Sequence, residues 1–452
     1  SEYRQKNEGS SQIGDLSQFY TNENNSKGHL FYNLNKVFSN KNFQNIDFNL
    51  RLEQVSDETY LKAYKIKSPI INNLSELTNS INLNFYDDDL SINTNIDVYE
   101  DLSKKDSDKY EYVPNFNFSK VINENYSINS IGYYKNYNTN ITEKILINDF
   151  TFNSPLNYFN NGIINEKKFL VKNVVSDGKN SNSFKNKGSI TLTPTLQSDY
   201  LLPLKKDSNK FLNTITPKIS LRLSSTHTKD IRNNDRKIDY ENIYDLNRLN
   251  ISDSSEGGIS ATYGYEYAKI DKLSSEAKYK FGFANNIRFE ENKDLPINSN
   301  LGDKMSDFVG IFEYKPNNNF KFDYDYSLKN NLSDKNYELF GFEFFLKNLN
   351  SKIEYLNENN SNLKTSYLQS ELQYKLNDNN SLIFETRENK EKSFTEFYNL
   401  IYQYQNDCLT AGIEYNKEFY NDEDLKPSEN LFFKISIIPF GGFNSPNLKW
   451  DK

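Results

Sequence analysis

The strongest constraint on this chain is a period of two. Leu90, Ile92, Thr94, Ile96 and Val98 alternate with Ser91, Asn93, Asn95 and Asp97. Successive side chains of an extended strand point to opposite faces, so this spacing sets an apolar row against a polar one. The alternation recurs at Ile46, Phe48, Leu50 and Leu52, at Ile219, Leu221 and Leu223, and at Ala261, Tyr263, Tyr265 and Tyr267. It appears again at Phe320, Phe322, Tyr324, Tyr326 and Leu328, at Tyr398, Leu400, Tyr402 and Tyr404, and at Leu409, Ala411, Ile413 and Tyr415. Helical periodicity is nowhere sustained. Clusters of Asn, Asp and Ser at 317–319, 330–334, 357–362, 377–380 and 421–424 separate the runs; Asn and Asp tolerate left-handed backbone angles and cap their own turns. Residues 1–30 and 160–190 are more polar and are expected to hold longer loops.

Many runs reach about 9–11 residues, the length of a tilted strand crossing a hydrocarbon layer, whereas strands of soluble sandwiches average about 5–6. At roughly 17 residues per strand and connection, the 452 residues make about 26 strands, within the range of outer-membrane barrels. Composition agrees. Hydrophobic residues are 36%, below the roughly 45–50% of ordinary globular domains, yet 33 Phe and 33 Tyr speak against disorder. A barrel that turns its apolar rows to lipid and its polar rows to a wet lumen reconciles the two, and its interfacial girdles use such rings. The expected fold is therefore all-β, a large antiparallel transmembrane β-barrel of about 24–26 strands. Residues 1–440 are expected to form the barrel and 441–452 a C-terminal tail. The lumen is expected to be wide, lined by Asn, Ser, Lys and Glu, and free of any deep apolar pocket.

Chemical motifs are sparse. The chain lacks a G-x-S-x-G elbow, an H-E-x-x-H helix, a Walker loop and a G-x-G-x-x-G turn, so enzyme function has no positive support and no cofactor is implied. The formal charge of −8 argues against a nucleic-acid partner. Asp87, Asp88 and Asp89 read as a solvated hairpin turn rather than an ion site, as do Asp422, Glu423 and Asp424. Arg232, Arg236 and Lys237 form a basic loop cluster, a solvated loop or a contact for glycolipid phosphates. His29 and His227 lie far apart, so a His-rich metal site is not expected. No apolar run is long enough for a membrane helix. The chain opens on Ser1 without a signal segment, which reads as a mature product, a fragment or a trimmed chain.

Several segments resemble one family in the same order along the chain. They are Val55 to Leu61, Tyr112-Val113-Pro114, Leu202-Pro203-Leu204, Thr216 to Ile219, and Tyr240 to Leu249 followed by Gly257-Gly258 and Ile259 to Tyr267. Ser306 to Gly310, Cys408 to Tyr420 and Pro427 to Phe440 complete the series. Together these resemble the lipopolysaccharide-assembly protein LptD. The resemblance implies a 26-stranded outer-membrane barrel plugged by an LptE-like lipoprotein and fed with lipopolysaccharide by periplasmic Lpt bridge components through an N-terminal jellyroll. The acyl chains would reach the outer-membrane lipids through a lateral gate between the first and last strands. The jellyroll, and the first strand or strands of the barrel, are expected to be missing from this sequence.

On the same resemblance, Leu431, Phe433, Ile435 and Ile437 belong to the closing strand of the gate. Pro439 lies just beyond; without an amide hydrogen it weakens pairing there or simply ends the strand. Cys408, which has no second cysteine in this sequence, falls where the family carries a pair bridged to the N-terminal region. Two other readings stay open: a diffusion porin or other solute channel of similar architecture, and a soluble extracellular β-rich adhesin. The first would end on a terminal aromatic strand, and the second would scatter charge through the outer apolar rows.

Overall fold

The computed structural model describes residues 2–7, 9–20, 26–41, 43–63, 66, 68–71, 73–224, 228–359, 364–419, 428–437, 441–444 and 448–449. Among these, 27 strand segments share one sheet. Each long strand pairs antiparallel with its neighbour in sequence, as in Ile164–Lys179 with Ser189–Leu201 and Phe211–Ser224 with Gly258–Asp271. Three segments continue an interrupted strand. Asn157–Tyr158 resumes Ile141–Asn153 along Ile164–Lys179, and Leu204–Asp207 resumes Ser189–Leu201 along Phe211–Ser224. Gly441–Asn444 and Leu448–Lys449 both pair along Ser428–Ile437. Counting each interrupted strand once leaves 24 wall strands. Pro155 and Pro203 sit in the first two breaks, where a residue without an amide hydrogen cannot continue a ladder.

The faces are inverted relative to a soluble sheet. In Ser189–Leu201, Ile190 and Leu192 are 74% and 57% exposed, whereas Thr195 and Gln197 are 0% and 2% exposed. The next strand repeats the pattern, with Ile219, Leu221 and Leu223 exposed and Ser220, Arg222 and Ser224 buried. The apolar rows also carry half-buried rings that meet across strands: Phe320 lies edge-on to Phe342 at 5.2 Å and Phe322 edge-on to Phe340 at 5.0 Å. Edge-to-face pairs add roughly 0.5–1.5 kcal/mol each beyond the area they bury. On these strands the period-two rows set apolar side chains on one face and polar ones on the other, while backbone polar groups are satisfied between strands, as a wall in hydrocarbon requires. This is the large antiparallel barrel class that the alternation predicts.

The Asn clusters at 317–319, 330–334 and 377–380 act as turns, whereas 357–359 belong to the strand Leu349–Asn359 and 360–362 lie outside the described residues. Asn377 Oδ1 accepts from the amides of Asn379 and Asn380 at 3.0 and 2.9 Å, and Asn331 Oδ1 from those of Ser333 and Asp334. Asp87 to Asp89 occupy a hairpin turn, the Asp87 amide donating to the Leu90 carbonyl at 2.8 Å. The cluster at 421–424 lies outside the described residues.

Three expectations need correction. The polar stretches expected to hold longer loops do hold one, residues 180–188, but are otherwise largely strand: Glu2–Asn7, Ser10–Tyr20, Ser26–Phe38 and Ile164–Lys179. A strand between lipid and water carries a polar row by construction, so polarity is no loop signal there. The expected tail is partly wall, since Gly441–Asn444 and Leu448–Lys449 extend the sheet. The inner side is also not uniformly polar. Two segments fold back onto it and build apolar cores: Tyr60, Leu61 and Ile70 join Phe31, Leu77 and Leu102, and Ile231, Ile238, Tyr240, Ile243, Leu249 and Ile251 join Ala284, Val309 and Ile311.

Candidate functional site

The second of these segments, residues 228–257, connects Phe211–Ser224 to Gly258–Asp271 and lies against the polar face of the wall. Consecutive turns shape it, with the Ile243 amide on the Asp239 carbonyl, Asp245 on Asn242 and Asn250 on Asn247. Its contacts reach far along the sheet. Lys172 Nζ, itself paired with Asp149 at 2.7 Å, donates to the Ser252 carbonyl at 2.8 Å, and Lys237 Nζ meets Glu358 Oε1 at 3.4 Å. At roughly 4.8 Å per strand, a flat sheet would hold those two strands about 40 Å apart. A chain of tight turns between residues 237 and 252 does not span that, so the wall bends around the loop.

Apolar contacts seat the loop. The Tyr240 ring lies on Gly282, where a Cβ would come within 2.4 Å of ring carbon, so only glycine lets the ring approach the strand. The Tyr240 hydroxyl donates to Glu266 Oε2 at 3.2 Å, and Glu266 also pairs with Lys218 at 3.1 Å. Gln197 Nε2 donates to the Tyr244 carbonyl at 2.7 Å. Burial, then the charge of Glu266, pushes the Tyr240 and Tyr244 phenols well above their ordinary range, so both stay neutral.

At the loop's end sits a buried ionic knot. Arg248 grips Glu256 with two parallel bonds, Nε to Oε2 at 2.7 Å and Nη2 to Oε1 at 2.5 Å. Arg288 also bonds Glu256 and donates to the Gly257 carbonyl, and Arg222 Nη2 donates to the Glu256 carbonyl at 3.2 Å. All four side chains are at most 5% exposed. Burial alone would raise the Glu256 pKa, but the fields of Arg248 and Arg222, the hydrogen bond from Arg248 and the field of Arg288 outweigh it and hold the group at about 2. The remaining donors of Arg248 reach Thr262, Asn286 and Ser260. A buried charge cluster depends on its hydrogen bonds; here three strands and the loop supply most of them, while Arg222 Nε is buried without a hydrogen-bond partner.

A second clasp sits in the connection between Ala277–Arg288 and Phe308–Asn317. Asp307, fully buried, accepts from Asn300 and Asn336 at 2.5 Å each and from Ser327 at 2.9 Å. Burial raises its pKa, against those three bonds. Neither clasp was singled out from the sequence as a charge site. The signals were a carboxylate directly before the Gly257-Gly258 pair and a Ser-Asp pair opening a strand, both within segments that carry the family resemblance.

The residues that were singled out lie elsewhere. Cys408 is exposed, in the tight turn between Phe394–Gln405 and Leu409–Glu418, its amide on Asn406 Oδ1 at 3.0 Å. Register places Leu431, Phe433, Ile435 and Ile437 opposite Tyr415, Ile413, Ala411 and Leu409, in line with the apolar outer rows, with Phe433 and Ile435 exposed. Ser428–Ile437 is not the outermost strand, because Gly441–Asn444 and Leu448–Lys449 cover its far edge. Pro439 and His227 lie outside the described residues. Arg232 bonds Asp230 at 3.1 Å, and Lys237 stacks 3.7 Å over the Tyr337 ring. His29 is buried at the other apolar core, its Nδ1 2.9 Å from the Tyr60 hydroxyl.

Among solved structures, the chain is similar to the siderophore receptor PirA from Acinetobacter baumannii at 8% identity and a TM-score of 0.34, covering 95% of this chain and 73% of that one. It is similar also to the ferric-catecholate import receptor Fiu from E. coli K12 at 9% identity and a TM-score of 0.36, covering 97% and 76%. No curated protein matches it. The family model described as LptD, LPS transport system D, matches residues 26–380, a stretch that includes both clasps and the whole inserted loop. The chain therefore belongs to the LptD family, outer-membrane β-barrels of the lipopolysaccharide transport system.

Proposed function

We propose that this chain forms the passage by which lipopolysaccharide reaches the outer leaflet, its glycan moving through the lumen and its acyl chains through a seam where the ends of the sheet meet. The observation that carries this reading is the inverted wall, with Ile190 and Leu192 facing out beside the buried Thr195 and Gln197. A polar glycan needs a wet route and its lipid tails a dry one, and a wall with apolar and hydrated faces whose seam opens serves both. The seam in this reading takes in the closing strand with Leu431, Phe433, Ile435 and Ile437, Pro439 beyond it, and the segments at 441–449 paired along it.

An LptE-like lipoprotein occupies the lumen beside the inserted loop, and periplasmic Lpt bridge components deliver the cargo. Cys408 joins a cysteine outside this sequence; its exposure in a turn leaves the thiol accessible to one. Depleting the protein in cells and labelling surface lipopolysaccharide tests the reading. The expected result is loss of newly made lipopolysaccharide from the surface with uptake of small solutes unchanged. Reduced solute uptake with normal surface lipopolysaccharide would instead identify a diffusion channel.

A further inference from the structure

Between the inserted loop and the inner wall lies a cavity of about 310 Å³. The clasps described above leave it open. Its floor is a patch of hydroxyls: Ser176, Thr191 and Thr193 project from two adjacent strands on their inner face. The loop contributes Ser254, a residue only 6% exposed whose Oγ has no hydrogen-bond partner. An unmet buried hydroxyl is a standing cost to the fold.

One wall is apolar, formed by Val174 and the Phe184 ring. Charge in the cavity is biased. Lys172 is neutralised by Asp149 and Lys229 by Asp253 at 2.7 Å, whereas Lys185 makes no ion pair among the described residues.

These features fit one kind of ligand. A hydroxyl both donates and accepts, so a floor of Ser and Thr matches the hydroxyls of a sugar ring, and an aromatic wall takes the ring's C–H face. The lysine adds a preference for a negative substituent. The volume lies at the low end of small-molecule sites, about 300–1,000 Å³. We propose that this cavity docks one anionic sugar unit, a pyranose bearing a carboxylate or a phosphate, of the glycan being exported. This rests on the transport role proposed above and adds to it a defined foothold on the wall.

The test uses the full-length protein with its natural partners in detergent, and reads binding of glucuronate, glucose 6-phosphate, glucose and inorganic phosphate by saturation-transfer NMR. Both anionic sugars are expected to bind, with glucose weaker by about tenfold, the loss expected for one charge-assisted hydrogen bond. Lys185→Gln, a change at an exposed position, is expected to erase that preference, and Ser254→Ala to weaken all sugars. Glucose binding as well as glucuronate, phosphate binding as well as glucose 6-phosphate, or variants that bind like the parent would each overturn the site.

In cells, Lys185→Gln is expected to slow surface delivery of lipopolysaccharide. Lost binding with unchanged delivery would overturn the exported glycan as the ligand. If depletion of the whole protein leaves lipopolysaccharide delivery intact, the transport role fails while the binding result still stands.

Discussion

Arg248 and Glu256, eight positions apart in the chain, are joined side by side by two parallel hydrogen bonds of 2.7 and 2.5 Å in a place that water does not reach. The loop between two wall strands closes on this pair, and Arg222 from the strand before it and Arg288 from one strand further on complete the knot.

Removing the carboxylate leaves three buried guanidinium groups facing one another. Glu256→Gln is expected to destabilise the docked loop by about 3–5 kcal/mol, the usual cost of breaking one side of a buried pair. Hydrogen exchange across residues 228–257 should rise steeply while the outer strands keep their protection. Uniform exchange across loop and wall would show that the knot does not hold the loop separately.

The same group sets an acid limit. Glu256 lies at about 2 in the folded protein against an ordinary 4.5, so its contribution is complete above about pH 4.5 and is lost as pH falls toward 2. Asp307, whose pKa is raised by burial, acts with the opposite sign, costing stability as pH rises above its ordinary 3.8. Exchange of the Arg248 to Gly257 amides should therefore stay slow from pH 7 to about 5 and accelerate below 4. Opening already between pH 7 and 6 would contradict the assignment.

Gly282 provides a second local test. A side chain there meets the Tyr240 ring. Gly282→Val is expected to cost roughly 1–3 kcal/mol by displacing it, whereas Tyr240→Phe, which loses only the bond to Glu266, should cost about 1 kcal/mol. Thermal melts of the two variants should differ in that order; equal effects would place the ring's anchor elsewhere.

The outward rows make a sharper prediction. Leu221→Arg, on the exposed face, is expected to destabilise the barrel in lipid vesicles by about 2–4 kcal/mol if the position lies near the bilayer midplane. Leu221→Phe should be close to neutral. Refolding titrations in vesicles measure both, and an arginine tolerated as well as the phenylalanine would mean that this face meets water.

Cys408 yields a simple electrophoretic result. If it is bridged to a cysteine outside this sequence, the full-length protein migrates differently with and without reductant, and Cys408→Ser abolishes the difference while still allowing membrane insertion. Identical migration in all lanes rules the bridge out.

How far the sequence carried these conclusions depends on distance along the chain. Rows such as Leu90 to Val98 repeat every second residue, so the strands and their outward faces were legible, as were turns capped by their own Asn side chains. Ser10–Tyr20 and Ile164–Lys179 were not, because polar strands of a wet wall look like loops by composition. The inserted loop was hidden for a different reason. Lys237 meets Glu358 and Lys172 meets Ser252 across 121 and 80 positions, and no local pattern encodes such a meeting. The family-like segments did mark the right places, Tyr240 to Leu249, Gly257-Gly258 and Ser306-Asp307, without revealing that they converge.

The strict alternation of rows also governs how such a chain travels before it folds. Averaged over any dozen residues, oily and hydrophilic side chains cancel, so no stretch is greasy enough to be halted as a helix in the first bilayer it encounters. The polypeptide gains its affinity for lipid only when neighbouring strands zip together and sort the two kinds of side chain onto opposite surfaces.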